Sequence, residues 1–319
     1  MRKKSFVFAT ALFLLVLFSG VSFASFPEKP ITIFNSSSAG SPTDLLAREV
    51  AHYAEKYLGQ PMVVVNKTGG GGGVMFASLM SQPSDGYTIA SCTAAQIAAL
   101  QAQLKGQFAF EDFDFLVNVQ LEPYVIASLV DGPFSTLQEA IDYAKKGNSL
   151  MVGGQGTGSS MHLMMLEIAR QADFKFTWLP YGGGSESITN LLGGHAQIIS
   201  TAPATAHQYV EAGKIRLLAV SGEKRMEHLP DVPTLKELGL DITLAQYRGF
   251  IAKKGLPVEV KEKIVAAIEK AVKEPGFVEF MKKTNQADGY MNSSEFAAYA
   301  KEDFDKVGRM TKELLTSPK

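Results

Sequence analysis

The chain contains one cysteine, Cys92, in 319 residues. It can form no intramolecular disulfide and no zinc site built on cysteines. Charge of one sign is also missing: 31 Lys and Arg face 32 Asp and Glu, for a formal charge of -1. That balance lacks the basic footprint of a nucleic-acid binder. The sequence has no G-x-S-x-G turn for a nucleophilic serine, no H-E-x-x-H, no C-x-x-C and no D-x-D-x-D-G loop. It has no G-x-x-x-x-G-K-[ST] loop either, so nothing points to a metal, a cofactor or a nucleotide phosphate. Beyond the N-terminus, no apolar run approaches the roughly 20 residues of a membrane span.

The N-terminus itself is layered. Arg2, Lys3 and Lys4 precede an apolar run over 6–18, broken only by Thr10, and Ser22-Phe23-Ala24 closes it with small residues at the cleavage positions. Residues 1–24 therefore read as a secretory signal peptide. The expected location is the periplasm or another extracytoplasmic compartment. No cysteine stands directly after the apolar run, which excludes a lipoprotein anchor there. With 46% hydrophobic and 20% charged residues, the remainder has the composition of a globular protein, long enough for one large or two medium domains.

Short β-type runs alternate with helical periodicity, which predicts an α/β protein with mainly parallel sheets. Strands are expected at 31–34, 62–65, 87–91, 115–117, 125–130, 150–152, 176–179, 197–200, 217–220 and 249–252. Leu46, Val50, Tyr53 and Tyr57 share one helical face, as do Val260, Ile264, Ala267, Ile268 and Ala271. Residues 137–144 and 295–315 also read as helical. The glycines at 69–73 cannot sit inside a strand or helix at acceptable entropic cost, so they form a loop. They also fail the G-x-G-x-x-G spacing, because Val74 and Met75 occupy the required positions.

Two Ser/Gly-rich loops each end a strand-like run and open a helix. The first, 35–44, reads Asn-Ser-Ser-Ser-Ala-Gly-Ser-Pro-Thr-Asp; the second, 153–160, reads Gly-Gly-Gln-Gly-Thr-Gly-Ser-Ser. A helix N-terminus carries free N–H groups and a partial positive charge. Two of them across a cleft would hold a carboxylate without Lys or Arg. Ser37, Ser38, Gly40, Ser41 and Thr43 are candidates from the first loop, and Gly156, Thr157, Gly158, Ser159 and Ser160 from the second. Asp44 would repel an anion and reads as a cap or loop brace. His162 reads either as a brace of the second loop or as a ligand contact. Tyr181, heading a third glycine loop, is either a cleft rim or an ordinary turn, and Arg248 pairs either with a ligand carboxylate or with an internal acid. Strand, loop and helix recur near the start of each half, which implies two similar lobes.

Several segments together resemble the solute-binding receptors of tripartite tricarboxylate transporters, also called the Bug family. They are Phe-Pro-Glu-Lys-Pro-Ile at 26–31, Ala-Gly-Ser-Pro-Thr-Asp-Leu-Leu-Ala-Arg at 39–48, Asn-Lys-Thr-Gly-Gly-Gly-Gly at 66–72 and Pro-Ser-Asp-Gly-Tyr-Thr at 83–88. Gly-Thr-Gly-Ser-Ser-Met-His-Leu at 156–163, Pro-Tyr-Gly-Gly-Gly at 180–184 and Leu-Pro-Asp-Val-Pro-Thr at 229–234 continue the series. Their order covers essentially the whole chain after the leader.

The resemblance implies a two-lobed periplasmic-binding-protein fold, in the Venus flytrap manner, with lobes at 26–123 plus 248–319 and at 124–247. It implies a monomeric receptor, not an enzyme, that delivers a carboxylated solute to a membrane permease, with Thr93 added to the ligand set. Two departures stand out. The family's first loop usually carries Val-Pro-Phe where this chain has Asn-Ser-Ser at 35–37, giving a more polar wall. Many members carry Asp where this chain has Thr201, which argues for a ligand without an ammonium group, a di- or tricarboxylate. On that reading Arg248 would meet a second ligand carboxylate. The alternatives are a lyase on the same fold, using Asp44, His162 or Glu186, and a ligand-sensing subunit.

Overall fold

The computed structural model describes residues 26–226, 229–284 and 286–315. The expected signal peptide at 1–24 lies outside them. Two sheets organise the chain. The first holds β1 (Ile31–Asn35), β2 (Met62–Asn66), β3 (Thr88–Thr93), β4 (Phe113–Pro123), β10 (Ala245–Lys253) and β11 (Asp288–Met291), in the order β11-β4-β10-β3-β1-β2. The second holds β5 (Val125–Leu129), β6 (Met151–Gln155), β7 (Thr177–Tyr181), β8 (Ile198–Thr201) and β9 (Ile215–Val220), in the order β7-β6-β8-β5-β9.

The expectation of mainly parallel sheets is corrected. β1 runs parallel to β2 and β3, and β6 to β7 and β8. β10 pairs antiparallel with β3 and β4, β11 with β4, and β5 with β8 and β9. The strands that carry the chain between the sheets return against their neighbours, so each sheet is mixed.

The helices are α1 (Pro42–Leu58), α2 (Gly73–Met80), α3 (Ala94–Ala99), α4 (Leu137–Lys145) and α5 (Ser160–Ala172). After them come α6 (Gly184–Leu192), α7 (Pro203–Glu211), α8 (Val258–Ala271), α9 (Pro275–Lys283) and α10 (Ser293–Leu315). α1 shows why the sequence folds as it does. Ser41 caps it, Pro42 opens it with a ring that needs no N–H partner, and Gly59 ends it at φ 71. Its buried face of Leu46, Ala47, Val50 and Ala54 packs with Ile264, Ala267, Ile268 and Ala271 of α8 over one face of the first sheet. Met75, Phe76 and Leu79 of α2, with Ile97 of α3 and Phe296 of α10, fill the other face.

α4 and α5 cover one face of the second sheet, and Ile188, Leu191 and Ala206 of α6 and α7 pack on the other. Helix α10 belongs to both bodies. Phe296 and Ala300 sit in the core of the first sheet, whereas Val307 and Met310 join the core of the second. We propose lobes of 26–123 plus 248–319 and 124–247 on this division, with α10 as the strap across them. Ala245 already pairs with Pro123, so β10 enters the first sheet at the crossing itself.

β4 runs from Phe113 to Pro123, far beyond the expected 115–117. Asn118, Gln120 and Glu122 interrupt its apolar pattern, yet all three are fully buried. β11 was absent from the sequence reading because Asp-Gly-Tyr-Met has no alternation; it forms as an edge on β4, at Asp288 opposite Gln120. The glycines at 69–73 make a tight turn that runs into α2, with positive φ from Gly69 to Gly72. At Gly71 a Cβ would fall 1.5 Å from Nε2 of Gln103, so this backbone passes directly under a side chain.

Gly249 lies at a register shift where β10 crosses β4. A Cβ there would stand 2.4 Å from the Val117 carbonyl oxygen and 2.8 Å from the Phe296 ring. Backbone atoms cannot yield as a side-chain tip can. Gly249→Ala should therefore destabilise the fold by about 1–3 kcal/mol, read as a lower urea midpoint; an unchanged midpoint would show that the crossing tolerates a shift.

Candidate functional site

The first loop is built around Asp44, which is 1% exposed. Its carboxylate accepts from the Gly40 N–H at 2.9 Å, Nδ2 of Asn66 at 2.7 Å and Nδ2 of Asn35 at 3.3 Å. Arg48 adds Nε at 2.9 Å and Nη2 at 3.1 Å. Burial opposes the charge, but hydrogen bonds from Arg48, Asn66 and Gly40 outweigh it and hold the carboxyl down at about 2. The Ser41 hydroxyl accepts from the Asp44 N–H as the helix cap. Asn66 also donates to the Ser37 carbonyl, and Ser38 O accepts from the Ser41 N–H. Ser36 Oγ accepts from Nε2 of Gln96. The loop is thus fixed before any ligand arrives. The Ser37 and Ser38 hydroxyls take no part in this bracing.

The second loop follows β6 and is braced by a neutral histidine. Nδ1 of His162 accepts from the Gly158 N–H at 3.0 Å, and its ring stacks on Trp178 at 4.6 Å between centroids. Burial pushes the imidazole down to about 4. Trp178 donates to the Gly156 carbonyl, and the Gly156 N–H donates to the Tyr181 carbonyl at 3.0 Å. These contacts tie the second loop to the third. Ser159 caps α5 by accepting from the His162 N–H, and its hydroxyl also lies against the Gln155 and Gly156 carbonyls. Thr157 is exposed, whereas Ser160 is buried beside the Tyr124 hydroxyl.

Thr201 ends β8 and is fully buried, and its hydroxyl has no hydrogen-bond partner among the described residues. Glu186 accepts from the Gly182 N–H at 2.7 Å and so closes the turn that leads into its own helix. Thr93 ends β3 and stands opposite Arg248 across the sheet.

Arg248 takes the second of the two pairings open to it, with an internal acid. Its guanidinium is already engaged inside the protein: Nε donates to Thr43 Oγ1 at 3.2 Å, and Nη1 to Gln120 Oε1 at 2.5 Å and Glu122 Oε2 at 3.3 Å. The sequence reading named neither Gln120 nor Glu122. The one available signal was the spacing of polar side chains at 118, 120 and 122 within an apolar run, which puts them on one face of a strand.

Parallel pairing puts the carboxyl ends of β1, β2 and β3 on one edge of the first sheet and those of β6, β7 and β8 on one edge of the second. Both Ser/Gly loops leave from these edges, where open α/β sheets bind ligands. The Arg248–Glu122 pair stands between Thr43 on one edge and the Ala204 N–H on the other.

Two sheets joined by crossing strands, with braced helix N-termini at their carboxyl edges, define the fold of the two-lobed periplasmic solute-binding proteins. A family profile described as tripartite tricarboxylate transporter family receptor matches residues 46–315. A Cupriavidus necator protein, described as a UPF0065 protein in the gbd 5' region, is 37% identical over 91% of this chain and 88% of its own. The crystal structure of a TctC solute binding protein from Polaromonas superposes with a TM-score of 0.79 at 30% identity, over 91% of this chain and all of that one (100%). Two more distant structures share the fold at 22% identity: MatC from Rhodopseudomonas palustris with bound malate and R. palustris Rpa4515 with adipate, at TM-scores of 0.77 and 0.79. They cover 89% and 90% of this chain and 99% and 97% of their own. The chain belongs to the tripartite tricarboxylate transporter receptor family.

Two outcomes follow from the braces. Asp44→Asn takes the charge from a carboxylate that gathers donors from four residues, and should cost about 1–3 kcal/mol in urea unfolding; a cost near zero would mean the loop holds without it. For His162, the folded value near 4 lies below the ordinary 6.5. Its stabilising contribution is complete above about 6.5 and is lost as pH falls through about 4. Thermal melts across this range should show the wild type losing its advantage over His162→Gln; a constant gap would refute the neutral brace.

Proposed function

We propose that this protein is an extracytoplasmic receptor that captures an organic dicarboxylate or tricarboxylate and delivers it to a tripartite tricarboxylate-type membrane permease. The observation that carries the reading is the orphaned hydroxyl of Thr201, buried at the carboxyl end of a parallel strand. A buried hydroxyl without a partner is costly, and a ligand oxygen would satisfy it. Malate in one structural neighbour and adipate in another support a dicarboxylate. Residues 1–24 would direct export, and closure of the lobes would bury the ligand and form the face the permease reads.

Within this reading the ligand oxygens meet Ser37, Ser38 and Gly40 of the first loop, with Thr93 beside it. From the other edge come Gly156, Thr157, Ser160, Tyr181 and Thr201. Ser41, Thr43 and Ser159 shape the walls, because their hydroxyls are already engaged. Gly158 serves the His162 brace, and neither Asp44 nor His162 touches ligand. A lyase is disfavoured for the same reason: Asp44 and Glu186 have their carboxylates committed to backbone donors, and His162 has Nδ1 committed to Gly158.

Thr201→Val removes the hydroxyl and keeps the shape. The unliganded protein should be as stable as the wild type or more so, because an unpaired buried group is gone. The dissociation constant for adipate or malate should rise about 5- to 150-fold, the equivalent of about 1–3 kcal/mol. Calorimetric titration of both proteins decides it. Equal affinities would place the ligand elsewhere.

A further inference from the structure

The buried polar side chains at the crossing of β4 and β10 form one continuous chain from lobe to lobe. It starts at Thr43, in the first turn of α1, whose hydroxyl accepts from Nε of Arg248. It continues from Nη1 of Arg248 to Glu122, with Gln120 bridging through its own Nε2 at 3.4 Å. It ends where Oε1 of Glu122 accepts from the Ala204 N–H at 3.0 Å, in the first turn of α7. Gln120, Glu122 and Arg248 are at most 7% exposed. Arg248 stands directly opposite Gln120 in the ladder, and Glu122 lies two residues on, so all three project from the same face.

We infer that Glu122 is a positioning residue for ligand capture: it supplies the anion for Arg248 and for the N-terminus of α7, and so sets how far the Thr201 edge stands from the first loop. The inference deepens the receptor reading and rests on it for the ligand measurements. The physical case is one of cost. A buried ion pair is often no more stable than apolar residues of the same volume, because both charges must leave water. Its worth lies in geometry. Here it links a helix opening at one carboxyl edge to a helix opening at the other through hydrogen-bonded side chains, alongside the apolar packing of α3 against α5. Glu122 also occupies the α7 N-terminus, where an anion is favoured, and so withholds that end from the ligand.

The arrangement separates two roles for Arg248. If it were the counter-ion of a ligand carboxylate, removing Glu122 would free it and tighten binding. If it is a link in the strut, removing Glu122 loosens the cleft and weakens binding.

The test uses Glu122→Gln, Arg248→Met and the double variant Glu122→Leu with Arg248→Met, with adipate as the probe. Thermal melts check that each folds; the double variant strands no charge and keeps the test alive if a single one unfolds. Spin labels at Glu55→Cys on α1 and Lys145→Cys on α4 report the distance between lobes, and Cys92 is buried and stays unlabelled. The expected result is a rise of about tenfold in the adipate dissociation constant for Glu122→Gln. The double variant should do no worse than either single one, and its unliganded distance distribution should be broader than that of the wild type. Unchanged or tighter adipate binding by Glu122→Gln overturns the inference. So does an unchanged distance distribution in the double variant. If the wild type binds no carboxylate, the receptor reading fails, and the distance measurement still decides the strut.

Discussion

β10 pairs with β4 from Ala245 opposite Pro123 to Lys253 opposite Phe113, and everything else hangs on this ladder. β4 leads out of the first sheet and straight into β5 of the second; β10 brings the chain back. The ladder is therefore the seam of the molecule and also its floor. Its apolar side chains serve the cores of the first sheet, and Gln120, Glu122 and Arg248 face the region where the two carboxyl edges meet. α10 straps the seam from outside, with Phe296 on one body and Met310 on the other.

The recognition edges are rigid for electrostatic reasons. In the first loop an internal carboxylate gathers the donors that would otherwise point at random. In the second a neutral imidazole accepts a single backbone N–H. The arginines near these edges are paired inside the protein: Arg48 with Asp44 and Arg248 with Glu122. Among the described residues, these edges offer the proposed anion a set of hydroxyls and helix-terminal N–H groups. Such groups discriminate by shape and by number of hydrogen bonds, and they release a ligand more readily than a buried Arg would. That balance suits the hand-over of cargo proposed above.

Much of the local structure of the candidate site was legible before folding. Ser41-Pro42-Thr43-Asp44 and Ser159-Ser160 carry the local chemistry of helix starts, which depends on neighbours a few residues away. The position of Asp44 as a brace follows from the same local rule. The partners of Arg248 were not legible. They lie more than a hundred residues away, at Gln120 and Glu122, and polar residues inside an apolar run look like the end of a strand rather than its middle. β11 was hidden for a related reason: an edge strand with no alternating pattern exists only because β4 offers it a ladder.

The sequence by itself determined the alternation of strands and helices, the two Ser/Gly loops as anion-suited helix starts, and the family. Each of these is written in local periodicity, capping chemistry or a run of ordered motifs. Only the tertiary structure decided that the Thr43 hydroxyl is spent on Arg248, and which acid neutralises Arg248. It also decided that both sheets are mixed. These depend on contacts between residues distant in the chain, where burial makes an unpaired group costly and a paired one decisive, and no window of the sequence contains both members of the pair.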